Sequence, residues 1–414
     1  MSLINDNALV WLFSSYKVDD MMFSSYKVDD MMGDWSALPQ ELLGLIFIRL
    51  RHAADIIRFR AVCTSWKLVA MEAKQLHLKP LSPMLLLPPN AQNEAHNLLD
   101  FSTHKACKIE LPETEGAWCS TSWKGWLSTI NFSFPYAMNL LNPISRLQIQ
   151  LPPATMFEDA HSETEDTSIP TECFIRKMVA SSSPSDPNCI IMVIHSMWNK
   201  LAFCKPGDRE WKTLKSGIYH FQDIIFYKGN FYATAKQEVG IVQCDLCPEP
   251  KVTPFAPPVW VRSLENKYLV ESCGELLQVS RFLHYDDDRD EMSPYNTIIF
   301  EVFKLDFNTR TWIKVQSLGD NSLFLGHSGT FSISTEDLLE FKKNCIYFLD
   351  DYLTAYYLSE FPQGCTDMGV FNLETRMVEP VFPTTQVWRT PLFWIIPDLF
   401  KGEFLISHWF FILQ

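Results

Sequence analysis

Few residues in this 414-residue chain have the types and spacing that chemistry demands. Cys244 and Cys247 form a single C-x-x-C, a spacing that can hold zinc or cycle between thiol and disulfide. No second pair stands at zinc-ligand spacing and Pro248 follows at once, so ordinary thiols are the simpler reading. Asp286-Asp287-Asp288-Arg289-Asp290-Glu291 is rich in carboxylates, but it lacks the Gly and the terminal Glu spacing of a calcium-binding EF-hand loop. It reads as a solvated loop, with a surface for a basic partner as the alternative. The ten His are dispersed, and no G-x-S-x-G, H-E-x-x-H, Walker loop or G-x-G-x-x-G stands where chemistry would need one. No catalytic residue, metal site or cofactor is therefore assigned, and the chain reads as a binding protein.

The most ordered pattern lies in Trp35 to Ala70. Pro39 suits a first helical turn, where its missing N–H costs nothing. Leu42, Leu43, Ile46 and Leu50 follow on one helical face, with Gln40, Glu41, Arg49 and Arg51 at polar positions around it. Asp55 suits the N-cap or first turn of a second helical stretch, where a carboxylate meets free N–H groups. Phe59, Val62, Cys63 and Trp66 make a second stripe at i, i+3, i+4 and i+7. Helices this short need tertiary partners, and so few residues cannot enclose a large core. Part of the apolar surface should stay available to another protein.

Leu-Pro-x-Glu-Leu-Leu-x2-Ile-x3-Leu followed by Arg-Phe-Arg-x-Val-Cys-x-Ser-Trp resembles an F-box. Leu38, Pro39, Leu42, Leu43, Ile46, Leu50, Ile56, Arg58, Phe59, Val62, Cys63 and Trp66 stand where that family's pattern has its residues. The resemblance implies a three-helix module over residues 35–79 that docks on the Skp-type adaptor of SCF ubiquitin ligases. Leu38, Pro39, Leu42, Leu43, Ile46, Leu50, Ile56, Phe59, Val62, Cys63 and Trp66 are then the adaptor-binding set, several of them also packing the module. The bland alternative is an ordinary helical pair whose apolar residues are core and nothing more. Residues 35–79 carry seven basic and three acidic residues, in a chain of net charge −14. A basic module would be drawn to an acidic partner, and the family's adaptor is acidic.

The overall acidity argues against nonspecific nucleic-acid binding, which needs basic patches. No apolar run is long enough to cross a membrane, and no secretion signal opens the chain. Eleven Cys, an odd and scattered number, fit reduced thiols in the nucleus or cytoplasm. Thirty Phe and thirteen Trp suit a large buried core. FSSYKVDDMM at 13–22 repeats identically at 23–32, which reads as a recent duplication on a flexible leader spanning 1–34. The Pro-rich stretch from Leu81 to Asn90 reads as a linker, placed at 80–95.

Beyond it the chain reads as mainly β. Cys189–His195, Ile224–Ala233, Lys267–Glu271, Glu275–Val279 and Asn344–Leu349 are short apolar runs. Hairpins are expected around Lys228-Gly229-Asn230 and Ser272-Cys273-Gly274. A degenerate unit recurs: a strand, a turn holding Asn, Asp or Gly with Arg, and a second strand. It occurs at Leu140–Arg146, Phe203–Arg209, Val302–Arg310 and Val370–Arg376, and more weakly at Ile241–Leu246. Spacings of roughly 40 to 68 residues bracket a propeller blade with loops. Blades bury their faces only by stacking radially, so a β-propeller of six or seven blades over 96–405 is expected, with a pair of β-sandwiches as the alternative.

WKGWL at 123–127, NLLNPISRLQIQLPP at 139–153, KYLVESCGELLQV at 267–279, FEVFKLDFNTRTWIKVQSLGDNSLFLG at 300–326, CIYFLDD at 345–351 and MGVFNLETR at 368–376 resemble the KIB-type β-propellers of plants. An F-box ahead of such a propeller implies a substrate receptor of an SCF ligase. The Skp-type adaptor would bring in the cullin and RING subunits, and an unidentified target would sit on the propeller. The alternatives are a scaffold with a vestigial F-box and, further off, an enzyme with its site in the central channel.

Overall fold

The computed structural model describes residues 38–73, 81–89, 95–101, 104–131, 133–158, 175–196, 198–235, 240–247, 249–259, 265–285, 295–326, 329–351, 367–380 and 392–397. The duplicated leader, the acidic run 286–291 and the tail beyond 397 lie outside them. The chain divides into two compact units, Met1–Ser82 with Ile396–Gln414, and Pro83–Ile395.

In the first unit, three helices follow one another: α1 Gln40–Phe47, α2 Ala53–Ala61 and α3 Thr64–Ala73. Pro39 sits just ahead of α1 in extended backbone, and its carbonyl accepts the Leu43 N–H at 3.1 Å. Asp55 lies in the first turn of α2 and is fully buried, paired with Arg58 at 3.0 Å. The stripe Phe59, Val62, Cys63, Trp66 is not one helix. The chain breaks at Val62-Cys63, and α3 begins with the Lys67 N–H on the Cys63 carbonyl at 3.0 Å. Thr64 and Ser65 favour such starts, because their hydroxyls compete with the helical backbone. Arg51 also departs from its expected outer position. It is buried, and its guanidinium caps the carbonyls of Ile48 and Leu50 beyond the end of α1.

The second unit is a six-blade β-propeller. Blade 1 holds Met84–Leu87, His96–Asp100 and Lys105–Ile109, with Phe393–Ile395 as its innermost strand. Blade 2 holds Ala117–Trp123, Trp126–Asn131, Met138–Leu141 and Gln148–Leu151. Blade 3 holds Ile175–Ala180, Ile191–His195, Lys200–Cys204 and Lys212–Thr213. Blade 4 holds Phe221–Tyr227, Asn230–Ala235, Ile241–Asp245 and Lys251–Ala256. Blade 5 holds Glu265–Ser272, Glu275–Tyr285, Tyr295–Asp306 and Thr311–Val315. Blade 6 has five strands, Asn321–Leu325, Phe331–Ser334, Cys345–Phe348, Gly369–Asn372 and Met377–Glu379. Its first strand runs parallel to its third, and Phe331–Ser334 lies innermost.

Met84–Leu87 corrects the linker reading of 80–95. These residues pair with both His96–Asp100 and Phe393–Ile395, so the ring closes on a strand from the far end of the sequence. Four apolar residues among prolines looked like a connection because their partners are remote in sequence.

Turn chemistry explains the blades. Blades 2, 4 and 5 join their first two strands by Lys124-Gly125, Lys228-Gly229 and Cys273-Gly274, with positive φ at both residues of each pair. That is the two-residue turn whose twist matches antiparallel strands. The recurring unit read from the sequence is the hairpin between the third and fourth strands. Asn142, Asp306 and Asn372 each accept two backbone N–H groups from the turn. The fourth residue on, Arg146, Arg310 or Arg376, takes φ of 64°, 55° or 58°. Blade 1 carries the same spacing unread, with Asp100 leading to His104 at φ 54°. The copy in blade 3 differs, since Gly207 takes the positive φ and Asp208 caps Lys205.

Between successive blades the apolar side chains form shared cores. Trp126, Met138, Phe157, Val193 and Trp211 join blades 2 and 3. Met192, Phe221, Ile224 and Phe231 join blades 3 and 4, and Tyr227, Tyr232 and Leu269 join blades 4 and 5. Phe300, Phe348 and Phe371 join blades 5 and 6, and Phe324, Tyr347 and Trp394 close blade 6 on blade 1. Burying each such side chain contributes about 1.5–3 kcal/mol, so a blade is stable only beside its neighbours.

Candidate functional site

The helical unit sorts its residues into two sets. Leu38, Leu43, Leu50, Ile56, Phe59 and Trp66 are buried. Phe59 is the hinge of that core, with ring centroids 5.3 Å from Phe47 and 4.5 Å from Trp66. Pro39, Leu42, Ile46, Val62 and Cys63 are only half-buried. They come from α1 and from the α2–α3 junction. Leu68 and Met71 on α3 are each 50 % exposed, and the sequence reading missed them. Their i, i+3 spacing among polar neighbours was the available signal. The expected adaptor-binding set is thus six residues that build the module and five that could also meet a partner.

Polar side chains of the innermost strands pair with one another. Lys177 of blade 3 and Asp223 of blade 4 form a buried ion pair. Asp223 also accepts the Leu269 N–H of blade 5 at 2.7 Å, and Leu269 accepts the Thr330 hydroxyl at 2.6 Å through its carbonyl. Lys177 donates to that same hydroxyl at 3.3 Å. Ser122 of blade 2 donates to the Trp394 carbonyl of blade 1 at 2.8 Å, and a side chain at Gly329 would approach the Ser122 carbonyl to 3.0 Å. Polar bonds thus link blades 3, 4, 5 and 6 in one set and blades 1 and 2 in another. Burial is the larger cause of the shifts here. It lifts the Asp223 carboxyl above its ordinary range and lowers the Lys177 ammonium, while their mutual attraction opposes both. The pair is a structural tie whose polar atoms are engaged with one another.

A second ionic cluster joins blades 5 and 6. Arg281 is fully buried and donates to Asp367 at 2.9 Å, Asp351 at 3.2 Å, the Thr297 hydroxyl at 2.7 Å and the Leu349 carbonyl at 3.0 Å. Tyr268 bonds Asp351, and Tyr295 donates to Asp350 at 2.6 Å. Burial works against the Arg281 charge, but Tyr268, Asp351 and Asp367 outweigh it and hold the guanidinium well above its ordinary range. Phe348 lies beneath it at 4.8 Å. These bonds tie blade 5 to blade 6.

The remaining sequence candidates resolve simply. Cys244 is buried between blades, with burial raising its thiol, while Cys247 is exposed. Among the described residues, no three His, Cys, Asp or Glu gather as metal ligands do. His195 stacks on Phe157 at 4.1 Å inside the core. No helix of the described residues is long and apolar enough to cross a membrane.

The three helices and the KIB-like ring define a class. The F-box-like family matches residues 35–79, and the KIB1-4 beta-propeller family matches residues 98–372. This chain belongs to the F-box proteins with a KIB1-4 β-propeller. Among similar proteins of Arabidopsis thaliana, "Putative F-box protein At5g55150" is 30 % identical over 374 residues, covering 88 % of this chain and 97 % of the relative. F-box protein SKIP23 is 26 % identical over 409 residues, covering 88 % and 95 % respectively.

Proposed function

We propose that the chain is the substrate-recognition subunit of an SCF-type ubiquitin ligase. The half-buried apolar set Pro39, Leu42, Ile46, Val62 and Cys63 carries this reading. A short helical unit leaves these side chains on its surface, where contact with a Skp-type adaptor would bury them. The adaptor recruits the cullin and RING subunits, and the propeller holds a target protein. The chain performs no bond chemistry itself. It raises the effective concentration of target lysines beside a ubiquitin-loaded conjugating enzyme.

The test is capture of a plant Skp-type adaptor by the full chain, beside Ile46→Asp. Binding by the wild type and its loss in the variant is expected. A folded wild-type chain that captures no adaptor would instead favour the scaffold with a vestigial F-box.

A further inference from the structure

In blades 2 to 5 the connection from second to third strand and the crossover to the next blade emerge at one end of the propeller. In blade 3 these two loops meet. Residues 196–199 join its second and third strands, and residues 214–220 lead into blade 4. The His220 N–H donates to the Trp198 carbonyl at 2.8 Å and the Phe221 N–H to the Asn199 carbonyl at 3.1 Å. Ser196, Asn199 and His220 all hold positive φ, at 62°, 47° and 61°. Such conformations cost energy and persist only where the surroundings fix them.

What the described residues of these loops present is apolar and basic. Trp198 is 55 % and Tyr219 49 % exposed, the Trp198 ring lies 5.8 Å from exposed His220, and the Lys200 ammonium sits 5.8 Å over the Tyr219 ring. At this end of blade 3 the two loops are flanked by Lys200 and Lys215, whereas Lys205 and Lys212 stand at the opposite hairpin beside Asp208 and Glu210. Arg176 stands at the same end of the adjoining strand, beside the Ile175–His195 pairing. Rigid Trp and Tyr side chains anchor partners at low entropic cost, and a local basic field within an acidic surface selects acidic ones.

We propose that Trp198, Tyr219, Lys200 and His220 form the target-docking platform, and that it takes an acidic segment carrying an aromatic or large aliphatic anchor. This rests on the receptor reading given above. The probe is a fluorescein-labelled (Glu-Glu-Phe)3 peptide, titrated by anisotropy at low ionic strength against the full chain. Its charge-reversed counterpart (Lys-Lys-Phe)3 serves as control. The acidic peptide should bind at least about ten-fold more tightly than the basic one, and Trp198→Ala and Lys200→Glu should each cost about ten-fold or more. Trp198 is exposed and Lys200 half-buried, and unchanged circular dichroism of the variants confirms folding. Equal binding of the two peptides, or binding untouched by both variants, would overturn the proposal. So would self-association of the wild type that vanishes in Trp198→Ala, since the platform would then serve a second copy. Adaptor capture measured on the same proteins separates the two readings. Intact capture with a failed platform sinks only this inference, whereas absent capture sinks the receptor reading whatever the peptide does.

Discussion

The helical unit and the propeller place their outward side chains by opposite means. In the helices, one periodic pattern supplies core and surface together. Leu43 and Phe59 are fully buried while Leu42 and Ile46, a residue or a turn away, remain half-exposed. In the propeller the repeated features are interior or turn-forming, and what faces outward is particular to each blade. Trp198 and Tyr219 belong to no repeat. The helical module can therefore be recognised from spacing, and the outward surface of the propeller cannot.

The sharpest way to test that division is to break each interior separately. Arg281→Ala strands Asp351 and Asp367 in a buried joint, a change that typically costs 3–5 kcal/mol. Urea unfolding should show the propeller transition shifted to lower denaturant, with adaptor capture retained below it. Trp66→Ala should cost the helical unit about 3–5 kcal/mol, because Trp66 is buried against Phe59. Ile46→Asp should cost within about 1 kcal/mol of stability, because the site is half-exposed. Both should abolish adaptor capture, the first by unfolding and the second by blocking contact, and helical circular dichroism distinguishes them.

A smaller effect follows from His96, which opens the third strand of blade 1. Burial lowers its pKa from 6.5 to about 4. The unfolded chain then takes up the proton first. The stabilisation is complete above pH 6.5 and is lost as pH falls toward 4, by about 3 kcal/mol at most. Urea titrations across that range should show wild type losing its lead over His96→Gln, whose stability lacks this dependence.

Smallest are the turns. Asn372→Ala removes the acceptor of two backbone bonds and should cost about 1 kcal/mol. Arg376→Gly, at φ 58°, should be neutral or stabilising by up to about 1 kcal/mol in the same unfolding assay.

These turns also mark how much of the fold was legible. Asn142, Asp306 and Asn372 stood out because an Asx side chain and the residue four on satisfy a local rule. The copy at Asp100 passed unread, because His104 replaced the Arg that served as the cue. The closing strand Met84–Leu87 was misread because its pairing partners come partly from residues 393–395. The break at Cys63 hid inside a stripe that fits one continuous helix as well as two. The Arg281 and Lys177 networks depend on blades meeting in space, and no local pattern announces them. In the helical unit the motif named eleven residues, but only burial divided them into those that build and those that face outward.

The central claim is that the helical surface, and not the propeller, holds the adaptor. Isothermal titration of a Skp-type adaptor into wild type, Ile46→Asp and Trp198→Ala tests it most directly. The account predicts equal affinity for wild type and Trp198→Ala, with a loss of about thirty-fold or more in Ile46→Asp, the scale of a central interface residue. Wild-type affinity in Ile46→Asp, or an affinity lost in Trp198→Ala, would contradict it.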